Sequence, residues 1–467
     1  MPARLTVWIE RIRDGFWAIP SAAALLAVLL GLLLPWVDRI WVTQRLFDGE
    51  RRWLTLLLFE AGGDGARATL AAVSGSSITV AGTVFSITIA TLALVSSQFG
   101  PRLLRTFSSD RGVQISLGIF VLSFLFPLLV LRTVRTSEED GDFVPHLSVS
   151  VALLFAVSAV GTLIYFIDHI AQMIRAPQVV ATVGRDLDEA LNHAVPDGVG
   201  KTSGRKQAHR DDDDNDDDND DEEEPDEIDG SEGLPGQDAP VAVRSRKAGY
   251  LTVINHERLV TLAEKADVVF RLAAGTGSYV YEGTPLLQLR PGDKLDEEQY
   301  EEAHGAFAIG ARRTVKQDEA YAVNQLVEIG VRAMSPGIND PFTGQSCCQR
   351  ITAGLLRVAD RRFPDPRQRD EGGKVRLLTR RPTFADLVEA GYAPLRRYAR
   401  ADAMLLGCLL DDLAALAGRA KGRRRLGAIA EQAAAVSRAA EELDEVDRRI
   451  VRGKYAYFEE QLAGRLG

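Results

Sequence analysis

Residues 17–37, WAIPSAAALLAVLLGLLLPWV, carry no charged side chain over a length that crosses a hydrocarbon core, and no other feature restricts the fold as much. Inside lipid a segment must satisfy its backbone N–H and C=O groups by itself, so this run has to be helical. Trp17 and Trp36 stand at its ends, where amphipathic rings prefer the interface. A secretory signal fits less well, because the apolar run is too long and no small-residue cleavage site precedes the charge after Asp38. Three further runs lack any internal Asp, Glu, Lys or Arg: residues 69–96, 113–131 (VQISLGIFVLSFLFPLLVL) and 146–167 (HLSVSVALLFAVSAVGTLIYFI). Four spans are therefore expected, with both flanks of the set on one side of the membrane.

Lys and Arg in the short flanks barely decide which side. With the flanking termini inside, eight basic residues are cytoplasmic against seven outside. The acidic loop Glu138, Glu139, Asp140, Asp142 and the scarcity of cysteine favour cytoplasmic termini, which places the protein in a bacterial inner membrane. Only Cys347, Cys348 and Cys408 occur, and an adjacent pair does not easily bridge, so no disulfide framework is implied.

The second span has a distinct composition. TLAAVSGSSITVAGTVFSITIATLALVSSQFGP places Thr69, Ser76, Thr79, Thr83 and Ser86 at heptad-like spacing, and Ala90, Ala93 and Ser97 continue the stripe. Small residues let helices approach closely, and hydroxyls can bond back to their own helix. The same stripe can line a hydrated path when several copies assemble. Ser76, Thr79, Thr83 and Ser86 are thus candidates for pore lining or for packing. Gly100 and Pro101 end this helix, and Arg102 and Arg105 follow, as anchors or as contacts for lipid phosphates or another anion. Asp168 and His169 close the fourth span, where a carboxylate beside an imidazole can relay a proton or simply sit solvated at the interface.

Past residue 170 the chain changes solvent. Val179, Val180, Val183, Leu187 and Leu191 recur at helical spacing, so a linking helix extends the membrane part to about residue 195. Residues 196–240 are too charged and too poor in apolar side chains to fold alone, with fifteen carboxylates between residues 211 and 229. That tract accounts for the net charge of −10 and lacks the spaced ligands of a calcium loop. Arg outnumbers Lys 46 to 9 among the basic residues, which reads as coding bias and not as a nucleic-acid footprint. Residues 241–292 alternate as strands around a short helix and predict a small β-barrel or sandwich. GSYVYEGTPLL looks like a lipoyl-type half-motif without the lysine that would carry the group, so no cofactor is expected.

Residues 293–467 read as a helical domain. Helices are expected over 317–334, 341–358, 383–420 and 423–452, and GGKVRLL around Val375 adds a strand. Between the first two lies RAMSPGINDPFTG, dense in turn-formers. Asp340 can cap the following helix with Pro341 in its first turn. Ser335, Asn339 and Thr343 remain available to a ligand or an interface. The sequence holds no HExxH, GxSxG or GxxxxGK[ST], and its six histidines are scattered, so neither a catalytic nor a metal constellation is visible.

Three separated segments carry a family resemblance: GDGARATLAAVSGSSITVAGTVFSITIATLALVSSQFGPRLLRTFSSD, FVPHLSVSVALLF with IYFIDHIA, and QDEAYAVNQLVEIGVRAMSPGINDPFT. In this order they resemble the predicted membrane proteins of the bacterial domain-of-unknown-function 2254 family, with the acidic tract standing as an insertion. The resemblance implies an integral membrane protein with a cytoplasmic C-terminal region, and it carries over no catalytic residue, ligand or substrate.

The leading expectation is a homo-oligomeric, channel-like or transport-related membrane protein in contact with lipid, its C-terminal region regulatory. A membrane-anchored ligand-binding or signalling module is the alternative. An enzyme acting on membrane substrates stands third.

Overall fold

A computed structural model describes residues 16–42, 62–100, 110–135, 143–196, 241–290 and 295–466. The chain divides into two compact units, Met1–Gln178 and Val179–Gly467.

The first unit contains four helices long and apolar enough to cross a membrane. They are α1 (Ala18–Val37), α2 (Gly63–Phe99), α3 (Arg111–Leu131) and α4 (His146–Met173), and α1 runs on through a wider turn, Asp38–Val42. All four coincide with the expected runs. The third helix packs against the other three. Phe126 and Val130 meet Ala27, Leu70 and Val149 at one end, and Phe120 and Leu117 meet Val84, Ala159 and Phe166 at the other. The outward faces of α1 and α4 are aliphatic: Leu25, Leu32, Val157 and Ile164 are exposed, as a surface solvated by lipid chains requires.

Asp38 is the one buried carboxylate among the described residues of this bundle, and it is buried for a reason. It accepts hydrogen bonds from the Leu147 and Ser148 amides, both at 3.0 Å, and from the Ser148 hydroxyl at 2.6 Å. The first helix thereby caps the fourth, whose own preceding residue, Pro145, has no side chain able to do so. With 37 residues, α2 is about 55 Å long, well beyond a hydrocarbon core of roughly 30 Å.

The second unit begins inside α5 (Ala176–Ala194), which the sequence assigns to the membrane part as an extension of the fourth span. The helix is instead broken from α4 at Ile174 and Arg175, and its apolar stripe buries Val183, Leu187 and Leu191. Next come β1 (Val241–Arg244), β2 (Gly249–Ile254), α6 (His256–Ala266), β3 (Val269–Leu272), β4 (Tyr279–Val280), β5 (Pro285–Arg290), α7 (Glu297–His304) and β6 (Phe307–Gly310). After α8 (Glu319–Ala333) and α9 (Pro341–Leu356), strands β7 (Arg367–Arg369) and β8 (Val375–Leu378) precede α10 (Phe384–Tyr398), α11 (Ala403–Arg419), α12 (Arg423–Ala439) and α13 (Glu445–Leu466).

Two small sheets result, a five-stranded one ordered β1-β5-β3-β8-β7 and a three-stranded one ordered β4-β2-β6. Residues 241–292 do not close a barrel or sandwich by themselves. Strand β8 docks parallel to β3, with Phe270 opposite Leu377, and β6 completes the smaller sheet against β2. The reason is hydrophobic: Phe270, Leu272, Leu287 and Leu289 need Leu259 and Leu262 of α6 and Leu377 of β8 to cover them.

The helices expected over 383–420 and 423–452 are each interrupted or displaced. Asp402 accepts from the Leu405 amide at 2.8 Å and starts α11. Asp444 accepts from the Val446 and Asp447 amides and starts α13, which continues to Leu466.

Candidate functional site

On α2 the residues Ala66, Leu70, Ser74, Ser77, Val84, Thr88, Thr91, Val95 and Phe99 face inward, and Ser74 donates to the Phe124 carbonyl of α3 at 3.1 Å. The opposite face is the hydroxyl stripe. Ser76, Thr79, Thr83, Ser86, Ala90, Ala93 and Ser97 are all exposed, in alternating steps of three and four residues. A side chain added at Gly75 or Gly82 beside it would meet nothing within 4 Å. Each hydroxyl is turned back on its own helix. Ser76 donates to the Val73 carbonyl at 3.1 Å, Thr79 to Gly75 at 3.0 Å, Thr83 to Thr79 at 3.0 Å and Ser86 to Gly82 at 2.9 Å. The face therefore presents oxygen lone pairs and methyl groups but no unspent donor. It suits close approach by another helix, and it also suits water.

At one end of the bundle His169 and Asp168, neighbours in sequence, part company. Asp168 accepts from the Gln172 side-chain Nε2 one turn on, at 2.6 Å. His169 turns the other way and places Nε2 at 2.7 Å from Asp110, the residue that caps α3 through the Val113 amide at 2.9 Å. Tyr165 stacks on the imidazole with ring centres 5.2 Å apart. A Cβ at residue 112 would lie 2.6 Å from the Tyr165 hydroxyl and 2.7 Å from His169 Nε2, so only glycine admits this cluster. The structure does not bring the Asp168 and His169 side chains together; His169 instead joins a Tyr165–His169–Asp110 cluster, which ties an ionisable ring to the start of the third span. Asp110 was not singled out from the sequence; its capping of the third span is the local signal that could have found it.

The turn at residues 334–340 resolves into capping chemistry. Asp340 accepts from the Thr343 amide at 3.1 Å and its hydroxyl at 2.6 Å, and the Asp340 amide donates to the Ala333 carbonyl at 2.7 Å. Ser335 donates to the Arg332 carbonyl at 2.6 Å. Asn339 is exposed and holds a left-handed backbone with φ 50°, a conformation Asn tolerates better than most residues. Of the four candidates here, three are engaged in the turn and only Asn339 projects outward. Beside it Ile338 and Phe342 are exposed, Phe342 to 69%. Arg102, Arg105 and the acidic tract lie outside the described residues.

One cluster escapes sequence reasoning altogether. Cys348 on α9 meets Cys408 and Asp412 on α11, and their three ligand-type atoms lie within 4.8 Å of one another. Sixty residues separate the two cysteines, and the only local signal is the one-turn spacing of Cys408 and Asp412. Burial, with the neighbouring Cys408 and Asp412, pushes the Cys348 thiol well above its usual range, and burial raises Asp412 as well. The neighbouring Cys347 is also raised by burial, but it packs on the other side, against Gly330 of α8.

Comparison with known proteins agrees with a membrane protein. An uncharacterised protein of Mycobacterium bovis is 30% identical over 410 residues, covering 86% of this chain and 73% of its own length. An uncharacterised protein of Mycobacterium tuberculosis matches to the same extent. No solved structure matches. A family model described as a predicted membrane protein, domain of unknown function 2254, matches residues 13–415, and the chain belongs to that family.

Proposed function

We propose that the protein works in the bacterial inner membrane as a homo-oligomer whose copies meet along the hydroxyl stripe of α2. The assembled second spans surround a channel-like path, and the C-terminal unit regulates it from the cytoplasm. The observation that carries the proposal is the exposed run of small residues at three-and-four spacing, with every hydroxyl proton of Ser76, Thr79, Thr83 and Ser86 already used within the helix. Burying such a face against its own copy strands no donor, and the heptad step suits a left-handed crossing of about 20°. The oxygens leave acceptors that can serve water or a hydrated solute without binding it tightly.

The test is cysteine substitution at these four positions in the full chain, with Ile78 and Ile89, exposed but off the stripe, as controls. The native Cys347, Cys348 and Cys408 are all buried and give a low background. Oxidative cross-linking and labelling by a water-soluble thiol reagent should both favour the stripe over the controls. Solute flux from liposomes should fall when Thr79 or Thr83 is replaced by a bulky residue. No cross-link and no labelling at any of the four would retire the proposal. Cross-links with no flux at all would point to the anchored signalling module.

A further inference from the structure

We propose that Cys348, Cys408 and Asp412 form a binding site for one thiophilic divalent metal ion of the zinc class within the C-terminal unit. The donors converge from two helices. Cys408 and Asp412 are one turn apart on α11 and so share a face, while Cys348 reaches them from α9, with its sulfur 2.9 Å from Asp412 Oδ2 and that of Cys408 3.8 Å from the same oxygen. The sulfurs are buried, Cys348 at 1% and Cys408 at 6% exposure, and Asp412 is half-buried.

Charge makes the case beyond proximity. Among the described residues Asp412 has no Lys, Arg or His partner; its neighbours are the two thiols, Thr352 and the like-charged Asp411. Asp411, next in sequence, pairs instead with Lys454. A half-buried carboxylate set against two buried thiols without a cation is costly, and thiols are weak donors, so the cluster lacks the positive charge that a metal would bring. The donor types choose the metal. Two sulfurs disfavour magnesium and calcium, and the single oxygen suits zinc better than a copper(I) site.

The three donor atoms already lie within 4.8 Å of one another. Ligand atoms around tetrahedral zinc lie about 3.5–3.8 Å apart, so the Cys348–Asp412 contact must open by about 0.6 Å. Behind the donors, the Thr352 hydroxyl donates to the Cys348 carbonyl at 2.8 Å and lies 2.6 Å from the Tyr392 hydroxyl, so α9 and α10 are held together beneath the site. On binding, two metal–sulfur bonds and one metal–oxygen bond form, two thiol protons leave to solvent, and no electron is transferred. Solvent at the Asp412 side supplies a fourth donor.

The test uses the full-length protein, purified in detergent under reducing conditions without chelator. Mass spectrometry of the metal content should give one zinc per chain. Replacement by Co²⁺ should give a thiolate-to-cobalt charge-transfer band in the near ultraviolet. Cys408→Ser and Asp412→Asn should each weaken Co²⁺ binding by more than the roughly 10- to 100-fold of an outer-shell change, whereas Cys347→Ser should leave the band intact. Should a variant fail to fold, the wild-type stoichiometry and band still decide. Absence of the band from wild-type protein with three titratable thiols overturns the site, as does its loss in Cys347→Ser. A Cys348–Cys408 disulfide recovered from protein never exposed to reductant overturns it too.

Discussion

Gly277→Ala should be among the most damaging single-methyl additions in the second unit, and Gly283→Ala separates the reasons. Both glycines have left-handed backbones, φ 82° and φ 81°. A Cβ at residue 283 meets nothing within 4 Å, so alanine there bears only the backbone strain, about 1 kcal/mol. At residue 277 the same atom would stand 2.0 Å from Asp318 Oδ2 and 2.9 Å from the Arg313 guanidinium. Asp318 cannot step aside cheaply. It is 4% exposed, takes two hydrogen bonds of 2.7 Å from Arg313, and caps α8 through the Tyr321 amide at 2.9 Å. Losing one charge-assisted bond costs about 1.5–3 kcal/mol and the cap about 1 kcal/mol. Gly277→Ala should therefore cost about 4 kcal/mol. At roughly 2–4 °C per kcal/mol for a unit of this size, the melting midpoint should fall by about 10 °C, against about 3 °C for Gly283→Ala. The assay is loss of helical circular dichroism on heating the full chain in detergent, with hydrogen exchange over Glu319–Ala333 as the local readout. Equal shifts for the two variants, with unchanged exchange in α8, would refute the steric argument and leave backbone strain alone.

Gly112→Ala should force His169 off Asp110 and lower the stability of the membrane unit by about 2–3 kcal/mol, read by intrinsic fluorescence because all five tryptophans precede residue 60. Burial, reinforced by Arg381, pulls His256 down to about 4 from its ordinary 6.5, so the unfolded chain binds the proton more readily between those values. The second unit should hold its full stability above pH 6.5 and lose this contribution as pH falls toward 4; His256→Phe should flatten the acid limb of a stability-against-pH curve. Asn339→Gly should leave stability and assembly unchanged while Asn339→Val costs about 1 kcal/mol, if the left-handed turn is what this position supplies; a loss of assembly in Asn339→Gly with normal stability would restore a contact role for the side chain.

The membrane helices were legible because lipid leaves only one way to satisfy a backbone, and a run such as residues 17–37 has no other reading. The stripe on α2 was legible for the same kind of reason, since heptad spacing fixes a helical face without any tertiary knowledge. Partners in space were not. His169 pairs with Asp110 and not with adjacent Asp168 because consecutive residues on a helix point about 100° apart, and α3 begins at its cap Asp110 within reach of His169. The strand around Val375 was legible, but its docking on β3 and the arrival of β6 and β7 from beyond residue 292 were not, because short strands bury their faces against whatever the chain brings back. Helix breaks at Asp402 and Asp444 were missed although each is a strong cap, because the apolar period on either side nearly keeps phase. Cys348, Cys408 and Asp412 needed α9 and α11 to be packed before they could be seen as one cluster.

The packing of the first unit also bears on where any path for water or solute can run. The centre of the four-helix set is filled: Leu70, Phe120, Phe126 and Phe166 are each 0–1% exposed, and α3 is in contact with all three of its neighbours. Protein interiors at that density have no room for a column of water. Polar groups that reach into this core include Ser74, spent on the Phe124 carbonyl, and Ser123, spent on that of Phe120. A path inside one chain would therefore require the core to be taken apart. A path between chains requires only that the outer face of α2 turn toward an axis, and that face already carries the hydroxyls. The filled core and the exposed stripe thus favour the same arrangement, and the cysteine scan of the stripe tests both at once.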